Sequence, residues 1–258
     1  MVVLTAGHYL TIIASEGRGV DVPAGPIRRV GAGGCAASNI EIVKQDLFVV
    51  TESLGSDVTA EGKALRRGWD LSLELASCLY DAGAPHTVWR RWSALAAFGM
   101  VLSGEYVTSY PYLILAGEWS CIDAMADRPV SRPGSVGLRA IWMLATGQRD
   151  RGEAFGPVDD SDSPWLTLCD SIPEDDFSRT EEALRSLADF WILEDEEWDT
   201  FHPRSFPSFE PEVCAAAALA KRRGYAPRNL PDDALRFLDP GLADGWPEPL
   251  YPRFSPSL

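Results

Sequence analysis

From Thr59 onward, apolar positions recur every three or four residues through most of the chain, the spacing of one face of an α-helix. Thr59 to Ala82 puts Leu65, Trp69, Leu73, Ala76 and Tyr80 on one stripe, and Gly83 and Pro85 stop it. Pro85 to Leu102 carries Val88, Trp89, Trp92, Leu95, Ala96, Gly99 and Leu102 and ends at Ser103-Gly104. Tyr110 to Ala126 is apolar on several sides, through Tyr112, Leu113, Leu115, Trp119, Ile122 and Met125, as expected of a helix buried all round. Pro129 and Pro133 make the next break, and Val136 to Thr146 and Pro164 to Asp170 predict two short helices. Ser178-Arg179-Thr180-Glu181 has the form of a capping box. It opens a helix through Leu184, Leu187, Ala188, Trp191 and Ile192. Pro211 sits near the first turn of a helix whose body is Val213 to Ala220; Lys221, Arg222 and Arg223 suit its last turn, and Gly224 closes it. Asp233 to Asp239 predicts a last short helix. Beyond Pro240 the tail is Pro-rich yet holds Trp246, Tyr251 and Phe254, so it is expected to be strapped onto the body.

The first 58 residues break this pattern. The apolar runs Tyr9–Ile13 and Leu47–Thr51 are strand-length and contain β-branched residues. Between them stand Pro23, Pro26, Gly31, Gly33 and Gly34. The expectation is a mainly α fold, a helical-hairpin bundle with a small N-terminal irregular or β portion. Residues 1–58 form the Gly-rich strand and loop portion, and 59–258 the helical domain with its Pro-rich tail.

At 258 residues and 46% hydrophobic, the chain has enough apolar material for a full core. Nine Trp is a high count, which suits a well-specified core or a sticky surface. Trp89 and Trp92 flank Arg90 and Arg91. Helical spacing puts the two Trp on one face and the Arg on another, so core is preferred to a base-stacking patch. The five Cys are odd in number and form no C-x-x-C pair, which predicts reduced, buried thiols in a cytoplasmic protein. No basic n-region precedes an apolar stretch at the N-terminus, so no secretory leader is expected. No apolar run reaches membrane-spanning length.

Charge changes the picture most. Residues 150–200 hold 17 Asp and Glu against three Arg, a balance of −14 out of the chain's −15. Crowded like charges oppose compaction, so such a field calls for a use or an excuse. The use is attraction of a basic protein or a cation; the excuse is a solvated acidic loop. With a pI near 4.6, nucleic acid and anionic membranes are not expected partners. The candidate partner-facing residues are Asp159, Asp160, Asp162, Glu174, Asp175, Asp176, Glu194, Asp195, Glu196, Glu197 and Asp199. Glu194 to Glu197 would oppose the macrodipole at a helix C-terminus, so they are expected past the helix end or held by something positive.

Enzymatic motifs are sparse. Gly31-Ala32-Gly33-Gly34-Cys35-Ala36 fits G-x-G-x-x-A, with Glu52 at the distance of a ribose-binding acid and Leu47–Thr51 as the second strand. The strand that should precede it, Ile27-Arg28-Arg29-Val30, is a poor buried strand, and no β-α alternation follows. The Asp159–Asp162 run suits a hard cation but has no second ligand motif at fixed spacing. His8, His86 and His202 are scattered, and no G-x-S-x-G elbow is present. A metal-dependent or nucleotide-binding enzyme on a helical scaffold is the alternative reading.

Phe206-Pro207-Ser208-Phe209-Glu210-Pro211-Glu212, the Ala-rich run Val213 to Ala220, Arg222-Arg223-Gly224-Tyr225 and the exit through Leu230-Pro231 to Phe237-Leu238 together resemble the C-terminal end of helical immunity proteins of bacterial polymorphic toxin systems. The helical hairpins over 59–126 resemble that architecture too, while the Gly-rich first 58 residues depart from it. The resemblance implies a bacterial binding protein without catalytic residues or cofactors, which neutralises a cognate toxin. A nucleic-acid-directed toxin is expected to have a basic cleft, which the acidic segment would fill and which electrostatic steering would help it find.

Overall fold

The computed structural model describes residues 2–20, 37–52, 58–82, 84–128, 135–148, 163–198, 210–230, 250–251 and 254–256. Within them the chain is mainly helical. Strand β1 (Val2–Leu4) leads into helices α1 (Ala6–Arg18), α2 (Ala37–Glu52), α3 (Val58–Asp81), α4 (His86–Leu102), α5 (Tyr106–Ala116), α6 (Trp119–Met125) and α7 (Val136–Thr146). Then come α8 (Ser163–Ser171), α9 (Phe177–Trp198), α10 (Pro211–Arg222) and strand β2 (Phe254–Pro256).

Helix α4 is the axis of the bundle. Between Trp89 and Val101 every residue except Arg91 is buried, because this stretch is apolar on all sides. Helix α3 packs along it across a four-residue connection, and α1 and α5 cover further faces. Gly99 permits the closest approach: a Cβ there would lie 2.6 Å from Tyr9 Oη and 2.7 Å from Trp69 Cβ. One apolar core runs from Leu4 and Tyr9 through Trp89, Trp92 and Phe98 to Val213–Ala220 and Tyr251.

The two N-terminal runs expected as strands are helical. In α1 the buried positions are Tyr9, Leu10, Ile13, Ala14 and Gly17, and in α2 they include Ile40, Val43, Leu47 and Val50. Both follow the three-to-four spacing of a helix, which a five-residue window is too short to display. The β structure is smaller and elsewhere: β1 pairs in parallel with β2, Val2 opposite Phe254 and Leu4 opposite Pro256. The chain's ends are thereby tied together.

Three further differences have local causes. The predicted Tyr110–Ala126 helix is two helices, because Gly117 takes a left-handed conformation (φ 75°) and the Glu118 N–H bonds back to Leu113 O. The first turn of α9 is capped by Asp176 rather than Ser178: Asp176 Oδ1 accepts from the Arg179 N–H at 3.2 Å. Glu194 to Glu197 lie inside the last turns of α9 rather than past its end. Helix α10 follows its signals, with Pro211 at its start and Gly224 at φ 100° just beyond it. Asp233 to Asp239 and Trp246 lie outside the described residues. Tyr251 is buried, as a strapped tail requires.

Candidate functional site

The acidic candidates divide by position. Asp159, Asp160, Asp162 and Asp199 lie outside the described residues, and Glu194, Asp195, Glu196 and Glu197 ride on the end of α9. Glu174, Asp175 and Asp176 form the turn between α8 and α9.

That turn is closely bonded. The Asp175 N–H bonds to Ile172 O, the Asp176 N–H to Ser171 O, and Thr180 Oγ1 to Ser171 Oγ at 2.9 Å. Asp175 sits at φ 57°, a left-handed conformation that Asp tolerates better than most residues. The positive end of α9 favours acids here. Two of the three acids have internal work. Asp176 caps α9, and Asp175 Oδ1 accepts from Arg223 Nε at 2.7 Å, while Arg223 Nη2 donates to Pro173 O at 3.1 Å. Glu174 is exposed and faces a groove.

The groove, of about 550 Å³, opens between the end of α7, the end of α8 and Arg223. Met143, Leu144, Ile172 and Pro173 make its apolar wall, and Asp170, Glu174 and Arg223 its charged rim. Arg223 was read only as a helix-end charge, because its partners lie about 50 positions away in sequence.

Three carboxylates that sequence reasoning missed, Glu118 and Glu181 buried and Glu212 half-buried, hold the surroundings in place. Glu181, predicted to complete a capping box, reaches across to the segment after α10. It accepts from Tyr225 Oη at 3.1 Å, the Arg228 N–H at 2.8 Å and the Asn229 N–H at 3.1 Å. Burial would raise its pKa, but these hydrogen bonds prevail and it lies below the usual range. Glu212, in the first turn of α10, accepts from Ser135 Oγ at 3.0 Å, and Ser135 in turn caps α7 by accepting from the Leu138 N–H. Gly137 leaves room for the Glu212 carboxyl group, and burial pushes its pKa up to about 7. Glu118 is almost fully buried and accepts from the Tyr251 N–H at 2.7 Å. Burial raises its pKa, against the opposing effect of the Tyr251 and Leu250 amides and of Arg90.

Arg90 departs from the outward placement expected of it. It is buried, donating Nε to Leu115 O at 2.6 Å, and burial lowers its pKa to about 10 despite Glu118. Trp89 and Trp92 are core residues. Arg91 lies 5.7 Å over the Tyr251 ring and pairs with Glu16 at 3.3 Å.

Gly31 to Ala36 and Asp159 to Asp162 lie outside the described residues, and Leu47–Thr51, wanted as the second nucleotide-binding strand, is part of α2. Among the described residues no three His, Cys, Asp or Glu gather as a metal would require. His8 and His86 stand in the first turns of α1 and α4, and His202 lies outside the described residues. The expectation of reduced thiols fails at Cys78, which is disulfide-bonded to a partner outside the described residues. Cys121, Cys169 and Cys214 are not in disulfides. Among the described residues no helix is long and apolar enough to cross a membrane. Comparison with family models, with curated proteins and with solved structures gives no match.

Proposed function

We propose that this chain is a binding protein that engages a basic protein through its acidic segment, and that the partner is a cognate bacterial toxin which it neutralises as an immunity protein. The carrying observation is the −14 balance over residues 150–200. A helical scaffold supports the reading, as does the Glu174 turn, which puts carboxylates beside a groove on a rigid base. Opposite charge on a partner would speed encounter and set register, and salt would screen it. Resemblance to helical immunity proteins supplies the toxin and the bacterial setting.

A cytoplasmic working place belongs to the same proposal. Against it stands the disulfide at Cys78, since disulfides are rare in a reducing cytosol.

The test is a pull-down of the tagged full chain from lysate of its own source, at low and at moderate salt. One stoichiometric basic partner, lost as salt rises and inhibited in its own activity by the chain, is the expected result. No partner at either salt overturns the proposal. Reversing Glu194 to Glu197 together should weaken binding and flatten its salt dependence; unchanged affinity would remove that end of α9 from the interface.

A further inference from the structure

We infer that the C-terminal strap, Leu250–Tyr251 with β2, is a tethered ligand: it occupies a docking site for an extended segment with one aromatic anchor, and the same segment of a second copy of this chain seats there in exchange. The inference is independent of the proposed function, since it uses none of the acidic segment.

The site reads main chain first. β1 pairs in parallel with β2, Val2 opposite Phe254 and Leu4 opposite Pro256. Glu118, just before α6 and only 1% exposed, turns its carboxylate on the strap, and Oε1 accepts from the Tyr251 N–H at 2.7 Å. The Leu250 amide adds to that grip. Amides are offered by any extended segment, so these bonds give affinity without regard to side chains. One pocket adds selectivity. Tyr251 is buried there, its ring edge-to-face with Phe98 at 5.8 Å. The Arg91 guanidinium lies 5.7 Å over the same ring and is held by Glu16 at 3.3 Å. A strand edge, a carboxylate for main-chain amides and one aromatic pocket are the parts of a strand-addition site.

The segment is suited to be a ligand. Tyr251 and Ser255 each precede a Pro, and Leu250 follows one. A residue before Pro is biased to extended backbone, and Pro donates no N–H. The segment therefore favours the extended form before it docks and loses little freedom on docking. Nineteen residues, 231–249, stand between Leu230 and Leu250. Fully extended they span roughly 65 Å, enough to reach the same site on an adjacent copy. A second copy's segment would make every contact named above unchanged. The chain's own segment has the advantage of its tether, an effective concentration on the order of millimolar. Exchange therefore shows when the tethered occupant is weakened or the chain is concentrated.

The probe is a fluorescent peptide of the strap, Pro249 to Leu258, titrated into the full chain, wild type and Tyr251→Ala, and followed by anisotropy. The Tyr251→Ala chain keeps the receptor and weakens its tethered occupant. It should bind the peptide saturably, roughly tenfold or more tightly than wild type does, because the tether no longer competes. A peptide that itself carries Tyr251→Ala should bind roughly tenfold or more weakly, as loss of the aromatic anchor requires. Should the Tyr251→Ala chain fail to fold, a protease site inserted after Asp244 of the wild-type chain carries the test: once cut, the strap should exchange for the labelled peptide. No saturable binding to the Tyr251→Ala chain, equal binding of the two peptides, or a cut strap that never exchanges overturns the inference. Wild-type chain refolded from urea at about millimolar concentration should also yield dimers, and dilute chain monomers. Monomers alone at both concentrations overturn the exchange between copies.

Discussion

Glu212 shows how one half-buried carboxylate links pH to stability. Its pKa is raised by burial from 4.5 to about 7, so the folded state holds its proton more tightly than the unfolded one. The sign follows: the contribution is fully present below about pH 4.5 and is lost as pH rises through about 7. Glu212→Gln imitates the protonated form and can still accept from Ser135. The variant should match wild type near pH 5 and exceed it near pH 8 by about 2 kcal/mol, at roughly 1.4 kcal/mol per pKa unit and discounted for relaxation. Thermal melts across that range decide it; equal melting points at pH 8 would show that the carboxylate ionises in place without penalty. The pKa of Glu118 is raised by burial too, but the nearby Arg90 cation works against that rise. Glu118→Gln keeps an acceptor for Tyr251 but removes the negative charge that offsets burial of the Arg90 cation, and should cost about 1–3 kcal/mol. Adding Arg90→Met should recover part of that loss in urea denaturation, since it removes the buried cation that the carboxylate no longer offsets. A double variant as weak as the single one would mean that Arg90 matters through Leu115 O rather than through Glu118.

At the scale of elements, the contact of α1 and α3 with α4 turns on the absence of one side chain. Gly99→Ala would bring a methyl group to 2.7 Å from Trp69 Cβ, an atom fixed to the α3 backbone, so the helix itself must move. The expected loss is about 1–3 kcal/mol, read as a lower denaturation midpoint. Gly17→Ala meets Leu47 Cδ1 at 3.4 Å, the flexible end of a side chain, and should be nearly neutral. A Gly99→Ala as mild as Gly17→Ala would show that the bundle relaxes there freely. These helices were legible to different degrees. The bodies of α3, α4, α7, α8 and α10 stand in the sequence because each carries its period over at least two turns with Gly, Pro or capping residues at its ends. Helices α1 and α2 were hidden by β-branched residues such as Ile12 and Ile13, and by windows shorter than the period. The signal at Gly117 was present and unused. The site was less legible than the fold. Glu174 was found as an acid, but nothing local says that Asp175 belongs to Arg223 or that Glu181 serves residues 225–229. Those pairings span 44 to 48 positions and exist only once α10 packs on α9.

For the whole molecule, the open physical question is the redox state in which its single core is closed. Cys78 lies fully buried in α3 at the centre of the bundle and is disulfide-bonded. Cys121 and Cys214 are buried as thiols, and burial raises the Cys121 pKa to about 12, so neither is poised for exchange while the chain is folded. Of these three thiols, Cys169, half-buried on the groove, has partial access to solvent. A cross-link from the core restricts the unfolded chain, and losing it costs about 2–4 kcal/mol. The chain has five Cys, and three are outside disulfides. Thiol titration in denaturant should therefore find three reactive groups without reductant and five with it, and reductant should lower the melting temperature of the native chain. The result bears on the proposed function through the compartment. Three thiols in protein taken from its own source under alkylating quench would place the chain where disulfides persist, and the toxin encounter with it. Five would show Cys78 reduced in the cell, restoring the cytoplasmic reading and leaving apolar packing around α4 to hold the bundle without a covalent link.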